Sequence, residues 1–188
     1  MQKKPIRRIF LREFKAICRA ISEYEDFIVL ISHLAESFSR SFEIKGCSIM
    51  LFDEREKQLF LVSSYGISDE YLKKGPIFVD EKYSSFVQGE PGFVEDMQND
   101  PRIQYPEAAA REGIVSMLSI PIKSRNIVIG LIRIYNSEPW AIHEEDVDAF
   151  RVLAKQLGLV IEYHGLKNFL ETVNTAMDNL PLRMLERP

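Results

Sequence analysis

The 188 residues predict an α+β domain. A central antiparallel sheet of five or six strands carries helices on one face and short helices and loops over a pocket on the other, with long helices at both ends. Three observations carry this expectation. Helix-spaced apolar stripes occupy the two ends of the sequence, and strand-like runs occupy its middle. The segment SIPIKSRNIVIGLIRIYN, Ser119 to Asn136, reads as a hairpin whose second strand is apolar on both faces through Ile127, Val128, Ile129, Leu131 and Ile132, so something must cover both sides of the sheet. The stretch Ile67 to Gly113 is punctuated by Gly75-Pro76, Pro91-Gly92, Asn99-Asp100-Pro101 and Tyr105-Pro106. It is too broken for long strands and long enough for a cover or binding loop.

Taken in order, Phe10, Phe14, Ile17, Ile21 and Tyr24 step by four and three, which predicts a helix with a narrow, coiled-coil-like seam. A second helix is expected from Asp26, a fitting N-cap, with Phe27, Leu30, Ile31, Leu34 and Phe38 as a broader stripe suited to a sheet. Gly46 ends that region. CSIMLFDE (Cys47 to Glu54) and QLFLVSSYG (Gln58 to Gly66) read as strands joined by a charged turn. VSMLSIPI then turns through Lys123 to Asn126 into IVIGLIRIYN. Gly130 in mid-strand is expected where another backbone or helix approaches closely, and Pro121 at a strand end or bulge. Arg133 is expected where the cover of the sheet ends.

From His143 a long helix carries Val147, Phe150, Ala154, Leu157 and Ile161. After His164-Gly165 a second stripe, Leu166, Phe169, Leu170, Val173, Ala176 and Leu180, continues out of phase until Pro181. The organisation expected is an N-terminal helix at 1–25, a domain at 26–163 and a C-terminal helical extension at 164–188, with both outer segments suited to pairing helices in a homodimer.

Composition narrows the function. A net charge of −4 with no basic block excludes a nucleic-acid groove as the main activity. The N-terminus MQKKPIRRIF lacks the apolar core of a signal peptide, and no apolar run reaches membrane-spanning length. Two cysteines without CxxC spacing suggest neither a disulfide framework nor a zinc site. A cytoplasmic location is expected, with no nucleic acid and no membrane as direct partners.

The succession GCSIMLFDE, GFVEDMQNDPR and GIVSMLSIPIKSRNIVIGLIRIYNSEPWAIHEEDVDAFRVLAKQLGLVIE resembles the GAF domain family, small-molecule-binding sensory modules of signalling proteins, over Asp26 to Tyr163. The resemblance implies a PAS-like sheet with a ligand pocket under the irregular middle. It also implies a kinase, cyclase or transcription-activator output domain or partner. It leaves the cofactor unknown, because family ligands range from cyclic nucleotides, haem and bilins to small metabolites. The cyclic-nucleotide subset carries Asn-Lys, a later Phe and Asp-Glu. The comparable positions here are Asn136, Ser137, Trp140, Glu144 and Glu145, and a helix start explains those carboxylates without a ligand. Cys47 and Cys18 are read as packing residues rather than attachment points or nucleophiles. The family's methionine-sulfoxide reductases need cysteines around the pocket, and Ile67 to Gly113 has none. His33, His143 and His164 fall on predicted helices away from it, so no catalytic or metal-binding set is expected.

The ligand-binding candidates are Phe78, Ser84, Ser85, Phe86, Asp96, Arg102, Tyr105, Met117 and Ser119. Ser84 and Ser85 would open a short helix whose amides face an anion. Arg102 and Asp96 would orient a polar ligand. The alternative is that Ser84 is an N-cap, Asp96 and Asn99 form turns, and Phe86 and Met117 fill a small core. The function expected is a non-catalytic sensor that relays ligand state through dimerising helices. The alternatives are a GAF-fold reductase of a small oxidised metabolite and a ligand-free interaction module.

Overall fold

The computed structural model describes residues 11–23, 26–79 and 85–178. Phe10, Tyr24, Ser84, Leu180 and Pro181 lie outside them. Helices α1 (Leu11–Glu23) and α2 (Phe27–Ser41) lead into β1 (Gly46–Asp53) and β2 (Gln58–Tyr65). The irregular middle yields α3 (Asp69–Leu72), β3 (Ile77–Phe78), α4 (Ser85–Gln88), β4 (Gly92–Val94) and α5 (Pro106–Glu112). The closing hairpin, β5 (Ser116–Ser124) and β6 (Ile127–Asn136), precedes α6 (Glu144–Asp178).

The strands form one six-stranded sheet in the order β3-β2-β1-β6-β5-β4, antiparallel at every pairing. Two local hairpins are thus joined through β1 and β6, and the two short strands of the middle region sit at the edges. Short edge strands limit unwanted pairing with other chains. Gly130 lies at the join: a Cβ there would collide with the Met50 carbonyl oxygen of β1, so the close approach expected from sequence comes from a neighbouring backbone. Pro121 pairs with Leu131 of β6 but lies beyond Ser119, the last β5 residue paired with β4. Its missing N–H is tolerated because β5 is an edge strand there. The irregularity falls one residue later, between Ile122 and Lys123.

The local signals act as their chemistry requires. The Asp26 carboxylate accepts from the Val29 amide at 3.0 Å and caps α2. His143 caps α6, its Nδ1 accepting from the Glu145 amide at 3.2 Å, and Glu144, Glu145 and Asp146 occupy the first turn, where carboxylates favour the positive end of the helix dipole. Pro106 opens α5 and Gly113 closes it at φ 71.

The two faces of the sheet differ. Cys47, Ile49, Leu118, Ile120, Ile122, Ile132 and Ile134 point to the helix side, where Leu30, Ile31, Leu34 and Phe38 of α2 and Phe150, Leu153, Ala154 and Leu157 of α6 close over them. Phe150 meets Phe38 and Phe42 edge-on at centroid distances of 6.0 and 5.0 Å. Trp140 is buried in the same cluster. Gly158 brings α6 directly onto β5, since a Cβ there would strike the Lys123 carbonyl oxygen. On the opposite face two smaller clusters form, one around Tyr71, Met97, Met117 and Tyr135 and the other around Met50, Leu59, Ile77 and Leu131.

The stripe of α1 differs from expectation. Ile17 and Ile21 are buried in this chain's own core with α2 and α6 residues, so the described part of that stripe is no surplus surface. The apolar row left open is on α6, a single continuous helix through His164 and Gly165. Leu159, Tyr163, Leu166 and Leu170 are each more than half exposed and follow one another at steps of four, three and four.

Candidate functional site

A cavity of about 80 Å³ lies on the face opposite the helix-side core. Its floor is Met117 and Ser119 of β5 with Leu131 and Arg133 of β6, and its walls come from the irregular middle, from Tyr71 through Tyr105. By the capacity of roughly 10–15 Å³ per water-sized group, it holds about five to eight such groups.

The floor is set by strand register. Ser48 of β1, Arg133 of β6, Ser119 of β5 and Gly92 of β4 stand side by side across four strands. This row separates the two apolar clusters of that face: Leu131 belongs to one and Tyr135 to the other. Ser48 is fully buried and its hydroxyl is 3.0 Å from the Tyr135 hydroxyl. Burial pushes the Tyr135 phenol up, with the Arg133 charge and hydrogen bonds from Ser48 and Arg133 opposing it. Arg133 is therefore on the cavity floor and not where the cover ends, as its place in the sequence suggests.

The walls are held by side chains tied to one another's backbone. Gln104 brackets β3, its amide donating to the Phe78 carbonyl at 2.7 Å and its oxygen accepting from the Phe78 amide at 3.2 Å. The Tyr105 hydroxyl donates to the Pro76 carbonyl at 2.7 Å. Arg102 donates from Nε to Asp100 at 2.8 Å, and from Nη2 to Asp100 at 2.5 Å and to the Phe93 carbonyl at 2.9 Å. Hydrogen bonding to Arg102 holds the Asp100 carboxyl below its usual range, against partial burial. Gln104, Tyr105 and Arg102 thus fasten the cover.

Among the described residues, two further cations line the inner surface. Lys74, after α3, places Nζ 3.7 Å from the centroid of the Tyr71 ring and donates to the Tyr71 carbonyl at 3.2 Å. Burial, and then the Arg133 charge, lower its pKa to about 8, with Glu112 opposing. The buried Nε of Arg133 has no hydrogen-bond partner. Glu112 is drawn off to the Ser68 amide and hydroxyl and lies 3.8 Å from Lys45.

Of the sequence candidates, Phe78, Ser85, Arg102, Tyr105, Met117 and Ser119 line the cavity. Two others do not. Phe86 packs on Phe52 at a centroid distance of 4.4 Å, and Asp96 forms a turn, accepting from the Gln98 amide and the Asn99 side chain. Ser84 lies outside the described residues. The helix opened by Ser85 has four residues, too short for an appreciable dipole. Lys74, Gln104, Leu131 and Arg133 were missed. The signal available for Arg133 was a lone charge inside an otherwise apolar strand, a residue seldom buried without a role.

No cysteine lines the cavity. Cys47 is fully buried in the helix-side core, and burial pushes its thiol well above the ordinary range. Among the described residues no group of three or more His, Cys, Asp or Glu is placed to hold a metal ion, and no helix is long and apolar enough to cross a membrane.

No curated protein matches the sequence. Among solved structures, the chain is similar to the GAF domain of an Acinetobacter phosphoenolpyruvate-protein phosphotransferase, with TM-score 0.70 and 20% identity over 84% of this chain and 96% of that one. It is similar to a domain of a putative two-component sensor histidine kinase protein from Sinorhizobium meliloti, with TM-score 0.63 and 20% identity over 74% and 93% of the two chains. A third is the free methionine-R-sulfoxide reductase of Neisseria meningitidis, solved with its substrate, with TM-score 0.67 and 16% identity over 85% and 95%. At these identities the likeness shows the fold. The family model for the GAF domain matches residues 26–161, well over half of the sequence, and the chain belongs to the GAF domain family.

Proposed function

We propose that this chain is a cytoplasmic sensory module that binds a small molecule in the cavity over β5 and β6 and passes its occupancy to α6, which pairs with the α6 of a second copy. One observation carries the reading. The two strands that floor the cavity present their other face to α6, and α6 runs on past the sheet with Leu159, Tyr163, Leu166 and Leu170 exposed. Their spacing is that of a two-helix seam, and each large apolar side chain gains roughly 1.5–3 kcal/mol on burial. Pairing across a twofold axis covers the same row on both copies at once. The likeness to a histidine kinase domain supports an output domain or partner of the kinase type, with cyclases and transcription activators as the other expected outputs.

Binding is favoured over thiol catalysis because the cavity lining contains no cysteine and Cys47 is sealed on the other side of the sheet. The test is the solution mass of Leu166→Glu/Leu170→Glu against the parent. The expected result is a dimeric parent and a folded monomeric variant by light scattering with circular dichroism. A parent that stays monomeric at high micromolar concentration removes the relay through paired helices.

A further inference from the structure

The charges around the cavity do not balance. Among the described residues, Lys45, Lys74, Arg102 and Arg133 stand against Asp100 and Glu112, on a chain whose net charge is −4. Arg102 is matched by Asp100, and Glu112, bonded to Ser68, is shared between Lys45 and Lys74. Lys74 and Arg133 face the same space, and the Arg133 charge raises the cost of the Lys74 charge. Two like charges in a partly buried site, with a buried guanidinium nitrogen lacking a partner, disfavour the empty state, and an anion between them relieves it.

We propose that the ligand is a small organic acid. Its carboxylate sits between Lys74 and Arg133 beside the Ser119 hydroxyl, and its short aliphatic body lies on Ile77, Met117 and Leu131. This rests on reading the cavity as a ligand site. The size limit follows from a volume of about 80 Å³, and the body's polarity from the apolar side chains on either side of the cationic row. An ammonium gives three rotatable donors and a guanidinium a planar fork, a combination that fits a carboxylate approached from two sides.

The probes are straight-chain monocarboxylates of about two to six carbons and dicarboxylates of about two to four, chosen to match the cavity capacity, each paired with its own amide, together with inorganic phosphate. They are read by thermal shift and titration calorimetry at one ionic strength. The expected result is that at least one carboxylate raises the melting temperature at millimolar concentration while its amide does not. Lys74→Met and Arg133→Met should each weaken that binding by tenfold or more without lowering the melting temperature in chloride. Arg133→Lys, which keeps the charge and loses the fork, should give an intermediate affinity. Amides binding as well as acids would keep the ligand site and overturn the anion. Phosphate binding with no carboxylate response would overturn the organic acid. Silence from every anion would overturn the proposal, and silence from the amides as well would count against the ligand site itself. Both methionine variants losing stability in chloride would show that the two cations serve the fold.

Discussion

The two faces of the one sheet are built to opposite rules. On the helix side, a single continuous cluster runs from α1 to α6 and includes seven residues of the three strands β1, β5 and β6, closed by aromatic edge contacts and by glycine-mediated helix–strand approach. On the cavity side the same strands present Ser48, Ser119 and Arg133 in a row that splits the apolar residues into two groups. Strand alternation lets adjacent residues serve both rules: Ile132 and Ile134 stabilise, and Arg133 between them faces the cavity. The even positions of this strand thus serve the core, and the odd positions Leu131 and Arg133 line the cavity.

The contrast is broken most severely from the helix side. Phe150→Ala removes a fully buried ring packed on Phe38 and Phe42 and is expected to cost about 3–5 kcal/mol, read from urea denaturation midpoints. A loss much below 1 kcal/mol would mean that this face is not the main core. Gly158→Leu comes next. The added side chain meets the Lys123 carbonyl, and the expected cost is about 1–3 kcal/mol, characteristic of overpacking. Little change in stability would mean that α6 rides less closely on β5 than the contact implies.

The smallest effect sharpens the other side of the comparison. Burial, and then the Arg133 charge, lower the pKa of Lys74 in the folded chain to about 8 from the ordinary 10.5. Between those values the unfolded chain binds more protons than the folded one, so the contribution of Lys74 to stability rises with pH across that window. Below about pH 8 its penalty is present in full. Parent stability should therefore climb relative to Lys74→Met from about pH 8 to 10.5, because the variant has no group to titrate there. Parallel stability curves across that range would place Lys74 in open solvent.

Much of the fold was legible. Asp26 capping α2, the two long hairpins, Gly130 at a close backbone approach and the acidic first turn of α6 all rest on local chemistry that acts within a few residues or one strand spacing. The cavity was legible only in outline. Phe78, Tyr105, Met117 and Ser119 were found because the irregular segment and the strand beneath it had to meet. Lys74 and Arg133 are 59 residues apart in sequence, and their juxtaposition depends on how α3 is laid over β6, which no local pattern encodes. Arg102 shows the converse: its sequence suggested ligand recognition, but two of its three nitrogens are committed to Asp100 and Phe93. The α1 stripe misled because heptad-like spacing is the same whether a helix meets a second chain or its own core.

Counted at 100° per residue, Phe150, Ala154, Leu157 and Ile161 lie on one side of α6, and Leu159, Tyr163, Leu166 and Leu170 lie on nearly the opposite side. Near Gly158 the helix is therefore a spindle: one side bears on the β5 backbone and the other is outward. Sideways displacement would peel Gly158 from the Lys123 carbonyl or drive it into the strand. What remains are axial sliding and rolling about the helix axis, and a roll at the strand turns the outward row through the same angle at the far end of a rod about 52 Å long.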